Sequence, residues 1–349
     1  MAATIASQTG APRARMSTSA LVQLVGGWVV VGAVALWMLL KLVQSPSQFF
    51  SAALEGLSNG TLYALIALGY TLVYGIIELI NFAHGDLFML GTIFSAFLLT
   101  TVLHQANVGL TGWLGLVGTL VVVMAMCAGI NVTIEFLAYR RLRRAPKLAP
   151  LITAVGMSFI LQQFGLFFNG STPKQWPTVL PAGGFSIGSV TVQWAFLVVL
   201  VVTVPLLLLM SYIVQRTRQG KAMRATAQDQ DAARLMGINV NRTISFTFAL
   251  GGALAGAAGL MYQQTVGTTS YNVGQELGLI AFTAAVLGGI GNLTGAVLGG
   301  VIIGLIQGLN DGLPLLGQRW SQSVVFTVLI LLMVFKPEGL LGRPTTEKV

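Results

Sequence analysis

The stretch GTLYALIALGYTLVYGIIELINFAHGDLFMLG, from Gly60 to Gly91, carries the reading of the fold. Its first part, Gly60 to Leu79, has Glu78 as its one charge. At about 20 residues it is long enough to cross ~30 Å of hydrocarbon as a helix. Then Ile80-Asn81-Phe82-Ala83-His84-Gly85-Asp86 interrupts an otherwise apolar run that continues to Leu103. Irregular backbone at membrane depth survives only where it is packed in protein or lines a wet cavity, and broken helices of this kind surround transport paths.

Similar apolar segments recur on both sides of this stretch. They fall at 21–43, 52–79, 84–103, 112–138, 149–168, 192–214, 243–264, 277–291, 294–310 and 321–335. The pattern predicts an all-α polytopic membrane protein with about ten transmembrane helices, or eight and a re-entrant pair. One continuous membrane domain, 21–335, would lie between an N-terminal tail, 1–20, and a C-terminal tail, 336–349. Composition agrees: 55% of the 349 residues are hydrophobic and 8% are charged, with mean hydropathy +0.81. Soluble domains carry roughly a quarter charged residues, so a water-soluble fold is excluded. The run 21–40 behind Arg13 and Arg15 is long for a signal peptide, and no small-x-small cleavage site follows it; a retained first helix is expected.

The formal charge is +9. The basic residues lie in loops between spans, where they orient the protein and meet anionic lipid; the bilayer is the expected partner and nucleic acid is not. Threading the spans from a cytoplasmic N-terminus places sixteen of the 19 Lys and Arg on one side. They sit in the two tails, in the cluster from Arg140 to Lys147 and in the segment from Arg216 to Arg242. Positive loops stay cytoplasmic, so both termini are expected there.

A second interruption, Gly288-Gly289-Ile290-Gly291-Asn292-Leu293-Thr294-Gly295, joins two short glycine-rich spans in the other half of the chain. The patch from Gly251 to Gly259 puts small residues where helix backbones approach closely. For a solute path the residues of choice are Asn81, His84 and Gly85 with Gly288, Gly289, Gly291 and Asn292. Glycine lets a solute reach backbone carbonyls, and asparagine offers donors and acceptors without a charge penalty.

No phosphate-binding loop is present, because Gly220-Lys221 lacks the upstream glycine. Cys127 stands alone and the two histidines, His84 and His104, are far apart, so neither a disulfide within the chain nor a metal site is expected. No G-x-S-x-G nucleophile motif occurs, and the chain reads as no enzyme. The acidic residues Glu55, Glu78, Asp86, Glu135 and Glu276 fall near span ends or breaks, which disfavours an ion-coupled carrier.

The segment 215–242, QRTRQGKAMRATAQDQDAARLMGINVNR, is neither a span nor a charged linker. From Lys221 to Met236 it has five alanines and no Pro or Gly, and Gly237 follows as a stop. One helix about 24 Å long is predicted at ~1.5 Å per residue. Ala222, Ala225, Ala232, Ala233 and Met236 would share a face, with Asp229 within it, that suits either a partner's groove or an amphipathic helix lying on the inner membrane face.

Gly60–Gly91, Lys221–Asn239, Ala281–Gly300 and the ending Phe335–Val349 together resemble the LivH-type permease of branched-chain amino acid ABC importers, from about Ser51 onward. The resemblance implies a bacterial inner-membrane subunit paired with a LivM-like second permease. Two cytoplasmic ATPase subunits carrying ATP and Mg, and a periplasmic or extracellular substrate-binding protein, would complete the importer; this chain itself would hold no cofactor. By the same resemblance the coupling helix would be Lys221–Gly237, with Lys221, Arg224, Asp229, Asp231, Arg234, Leu235 and Gly237 facing an ATPase. Where the family commonly has an acidic pair, this chain has Gln228-Asp229, and the span 21–43 lies outside the close match. An importer for urea or short amides would share the architecture. A stand-alone channel or ion-coupled carrier would have no use for the cytoplasmic helix.

Overall fold

A computed structural model describes residues 36, 38–79, 81–104, 109–143, 145–146, 148–181, 183–188, 190–312 and 317–342. Residues 1–44 and residues 45–349 form separate compact units. In the first, residues 38–44 are helical; the expected tail 1–20 and most of the expected span 21–43 lie outside the described residues, as do Arg144, Lys147 and 343–349.

The second unit opens with α1, Pro46–Ile77. Pro46 suits a first helical turn, where its missing N–H is no loss, and Glu78 ends the helix in a left-handed conformation at φ 52°. At ~1.5 Å per residue its 32 residues reach about 48 Å, more than the hydrocarbon thickness. Helix α2, Ala83–Phe97, continues through a π-helical turn, Leu98–Val102. Helix α3, Leu110–Ile134, likewise runs on through a π turn, Glu135–Tyr139, to Leu142. Then come α4, Leu148–Asn169, and α5, Trp194–Arg216. Two short helices follow, α6, Arg218–Gln228, and α7, Gln230–Leu235. The chain closes with α8, Val240–Val266; α9, Val273–Gly288; α10, Leu293–Gly312; and α11, Ser321–Phe335.

Nine of the ten expected spans thus have a helix. Eight are long and apolar enough to cross a membrane. The ninth, α9, has 16 residues and is the short member of the glycine-rich pair, whereas α10, with 20, is of full length.

Helices α1, α2, α8, α9 and α10 form the interior. They meet through glycine. Gly56 and Gly60 of α1 run antiparallel against Gly300, Gly304 and Gly308 of α10; a Cβ on Gly56 would lie 2.7 Å from the Gly304 carbonyl oxygen, and one on Gly304 would enter the Gly60 backbone. On α8, Gly256 and Gly259 seat against α2 and α3, a Cβ on Gly259 lying 2.6 Å from the Phe88 oxygen and one on Gly256 lying 2.9 Å from the Val123 oxygen. The patch 251–259 is therefore a packing surface. Helices α3, α4, α5 and α11 surround this interior and turn Val121, Ile152, Phe167, Leu208 and Ile330 outward. Such surface is comfortable in lipid, whose tails are as apolar as leucine.

At the end where α1 begins, two-stranded pieces tie the loops together. β1, Lys174–Gln175, pairs antiparallel with β4, Thr268–Thr269, and β2, Gly184–Ile187, forms a hairpin with β3, Val190–Gln193. Asn169 and Trp176 both bond to Thr269.

Gly304→Val forces a side chain into the Gly60 backbone and is expected to cost about 3 kcal/mol or more, the upper range for overpacking. Gly118→Val, at a site where a Cβ meets open space, is expected to leave stability nearly unchanged. Thermal unfolding of both variants in detergent checks the contrast.

Candidate functional site

The first break is stitched to two other helices. Asn81, buried, accepts at Oδ1 from the Tyr139 hydroxyl (3.0 Å) and donates from Nδ2 to Asn131 Oδ1 (3.5 Å). Asn131 in turn donates to the Phe248 carbonyl of α8 at 2.7 Å. His84 is fully buried, edge-on to Tyr70 with ring centroids 4.7 Å apart, and occupies the space a side chain on Gly69 would need. Gly85 packs on Gly274 and Gly278, a Cβ there lying 2.9 Å from the Gly278 Cα.

The second break is a tight turn. Gly289 and Gly291 take φ of 101° and 92°, a region open to glycine and strained for other residues. Asn292 caps α10, accepting from the Gly295 N–H at 3.1 Å, and donates its amide to the Leu341 carbonyl at 2.8 Å. The C-terminal segment lies over the turn as a strap, with Leu340 N–H on the Leu287 oxygen (2.8 Å) and Leu341 N–H on the Gly288 oxygen (3.0 Å). Gly288 meets the Gly295 backbone, and Gly289 meets Gly339 and Gly342.

The structure brings part of the expected path together. Gly291 approaches Gly75 near the end of α1, and Asn81 and Ile290 line one small cavity with Tyr74 and Phe282. His84 and Gly85 lie apart from Gly288, along the opposite half of α9. Gly274, their neighbour, is about 20 Å from Gly288 at the helical rise.

The segment expected to couple to an ATPase is two helices. Asp229 is extended (φ −157°, ψ 114°), and its carboxylate caps α7 by accepting from the N–H groups of Asp231 (2.8 Å) and Ala232 (3.0 Å). The expected single helix Lys221–Met236 is therefore corrected: an aspartate that can serve two free N–H groups favours a cap over a helix interior. The expected alanine face is also divided. Ala233 is buried with Met223 and Thr226, while Ala232 is exposed. Arg224 donates to the Val214 carbonyl and so caps α5. Lys221, Asp231, Arg234, Leu235, Met236 and Gly237 face outward; Leu235 is 89% and Met236 83% exposed, and Gly237 has φ 80°.

Beside α7 stands the basic loop. The buried Glu135 carboxylate binds Arg140 Nη2 at 2.8 Å, also pairs with Arg143, and accepts from the Ser245 hydroxyl at 2.7 Å. Arg143 continues to Asn241 Oδ1 at 2.7 Å, tying the loop to the first turn of α8. Arg140, Arg141, Arg143, Arg234 and Asp231 line one cleft of about 540 Å³. Hence the basic loop, α6, α7, the Asn81 end of the first break, the second break and the C-terminal strap share one end of the second unit.

Sequence reading passed over Glu135 as a partner because Arg140 and Arg143 follow at i+5 and i+8 rather than at the i+3 or i+4 of an α-helical pair. The π turn at Glu135–Tyr139, with its i to i+5 register, closes that gap. It also passed over Ser158, whose hydroxyl donates to Asp86 across 72 residues.

Glu135→Ala leaves Arg143, 11% exposed, without its counter-charge and is expected to destabilise the protein by about 3 kcal/mol. Arg234→Ala removes an exposed pair and is expected to cost under about 1 kcal/mol. Melting in detergent separates the two.

Residues 52–334 match the family described as branched-chain amino acid transport system / permease component. The chain is 39% identical over 311 residues to the high-affinity branched-chain amino acid transport system permease protein BraD of Pseudomonas aeruginosa, covering 86% of this chain and 98% of that one. It is 38% identical over 308 residues to the corresponding LivH of Escherichia coli, with the same coverage. A fructose import permease protein, FrcC of Rhizobium meliloti, is 27% identical over 223 residues, 59% of this chain and 58% of that one. With its family match running from α1 almost to the end of α11, this chain belongs to the branched-chain amino acid transport permeases.

Proposed function

We propose that this chain is one membrane-spanning subunit of an ATP-driven importer, forming with a LivM-like second permease the path for branched-chain amino acids. The observation that carries the reading is identity near 39% across almost the whole length of a branched-chain amino acid permease. In this reading two ATPase subunits, which bring ATP and Mg, dock at the end bearing α6, α7 and the arginine loop. That end faces the cytoplasm of a bacterial inner membrane, with both termini on the same side. A binding protein delivers substrate at the other end, where β1 to β4 lie.

The packing supports a mechanical role for the docking end. Helix α6 touches α1, α5 and α8, and the last turns of α1 adjoin both breaks. A push on α6 and α7 is thus delivered to a rigid interior helix that ends at the two irregular turns. For such a push to drive transport, the ATPases must contact α6 and α7 differently in their two nucleotide states, since a partner with no differential affinity shifts no equilibrium. The similarity to a fructose importer's permease favours a second reading, in which the same membrane architecture serves another small polar solute and the binding protein selects it.

The complex purified with its ATPases and binding protein, placed in lipid vesicles, is expected to take up leucine only with ATP. Uptake without ATP would make the protein a channel or carrier. Leu235→Glu together with Met236→Glu, at two of its most exposed side chains, is expected to lower ATP-driven uptake about tenfold, equivalent to ~1.4 kcal/mol of coupling, with assembly of the two permeases intact.

A further inference from the structure

Among the described residues two carboxylates are buried, and they are treated differently. Glu135 has both oxygens engaged by arginines and a serine. Asp86, in the first turn of α2 and 1% exposed, has no ion pair among the described residues. Its Oδ2 accepts from the Ser158 hydroxyl of α4, and Ser158 Oγ accepts from Gln162 Nε2 at 3.2 Å. Its Oδ1 has no hydrogen-bond partner. Asp86 is thus a costly buried carboxyl group with one oxygen unserved and, unlike Glu135, no counter-charge among the described residues.

A cavity of about 180 Å³ lies close by, between α1, Phe82 of the first break, α4 and α9. Ser158 and Gln162, the residues that hold Asp86, are also part of the cavity wall. Gly274, another wall residue, backs directly onto Asp86, with a Cβ at that glycine lying 2.9 Å from the Asp86 Cα. The rest of the wall includes the rings of Tyr70, Phe82 and Phe159. Two polar side chains, with the Asp86 carboxylate behind them, and three aromatic rings suit the ammonium group and the aliphatic body of a small zwitterion. At ~30 Å³ per water the cavity has room for several waters, so such a solute can enter by displacing them.

We propose that this cavity is a substrate subsite within the membrane. Ser158 and Gln162 receive the α-ammonium group of the amino acid, Asp86 supplies its counter-charge, and the aromatic rings contact the aliphatic side chain. The proposal rests on the importer reading above and adds to it a place where substrate is held between delivery and release.

The assembled importer in vesicles tests it, with uptake of leucine and ATP hydrolysis measured together. Asp86→Asn, which keeps the side chain's shape, is expected to lower leucine uptake per ATP hydrolysed about tenfold while binding-protein-stimulated hydrolysis persists. Uptake per ATP equal to the unmodified complex overturns the subsite. A second measurement uses Val155→Cys, at another wall position, in a Cys127→Ser background. A cationic methanethiosulfonate is expected to label it several-fold faster than an anionic one of similar size, and leucine is expected to slow both. Equal rates overturn the subsite, and this arm is read with Asp86 in place, so it does not depend on assembly of the Asn variant. With Asp86→Asn added, the cation preference should vanish; its survival would also overturn the assignment. If the unmodified complex imports no leucine yet shows the Asp86-dependent preference, the branched-chain reading fails and the cation subsite stands.

Discussion

The approach of α1 to α10 at Gly60 and Gly304 is the contact on which the rest of the bundle depends. Between helices in lipid there is no water to expel, so association relies on close van der Waals packing and on hydrogen bonds. Glycines on both helices allow backbone to meet backbone there, and α1 becomes the most enclosed span, 83% buried over its most apolar window against 11% for the span that includes α11. Helices α8 and α9 and the short helix α6 all lean on α1. Loss of that seam would remove the common support of the breaks and of α6 together.

Hydrogen bonding outside the helices shows how the breaks are built. An unpaired N–H or C=O in hydrocarbon costs several kcal/mol, so a chain that leaves helical geometry must find partners at once. At the first break Asn81, Tyr139 and Asn131 relay bonds across three elements. At the second, the partners come from the chain's own C-terminal segment, whose Leu340 and Leu341 N–H groups cover carbonyls at the end of α9. Side chains chosen for the path by their chemistry thus also cap and brace in this conformation. A transporter that reshapes these turns must exchange those bonds for others, which ties movement at the breaks to movement of α3, α8 and the strap.

The positive end is a single construction. In the sequence, the arginines at 140–143 and the segment 215–242 are far apart, and each reads separately, one as an anchor and the other as a docking helix. In the folded chain Glu135 draws Arg140 and Arg143 toward Ser245 and Asn241, immediately after α7, and one cleft takes its walls from both. A partner that grips α7 therefore also meets the arginine loop, and through Glu135 it is joined to α3 and α8.

The positions of the nine described spans were legible in the sequence because apolar length is a property of a continuous stretch. The glycine-rich seams were legible as surfaces for close approach, and the family resemblance was legible in three motifs in order. Hidden were the division of the coupling helix at Asp229, the pairing of Glu135 with Arg143 and the meeting of Asp86 with Ser158. Alanine content alone favours a continuous helix, and only the folded backbone reveals that Asp229 turns out to serve two N–H groups. The π turn shifts the register by one residue, so α-helical spacing points Glu135 at the wrong neighbours. The sequence by itself determined a polytopic helical membrane protein and its charged end, since hydropathy and charge act locally along the chain. Tertiary structure alone decided which buried carboxylate is neutralised and which has no ion pair among the described residues, since that depends on side chains brought together from different helices.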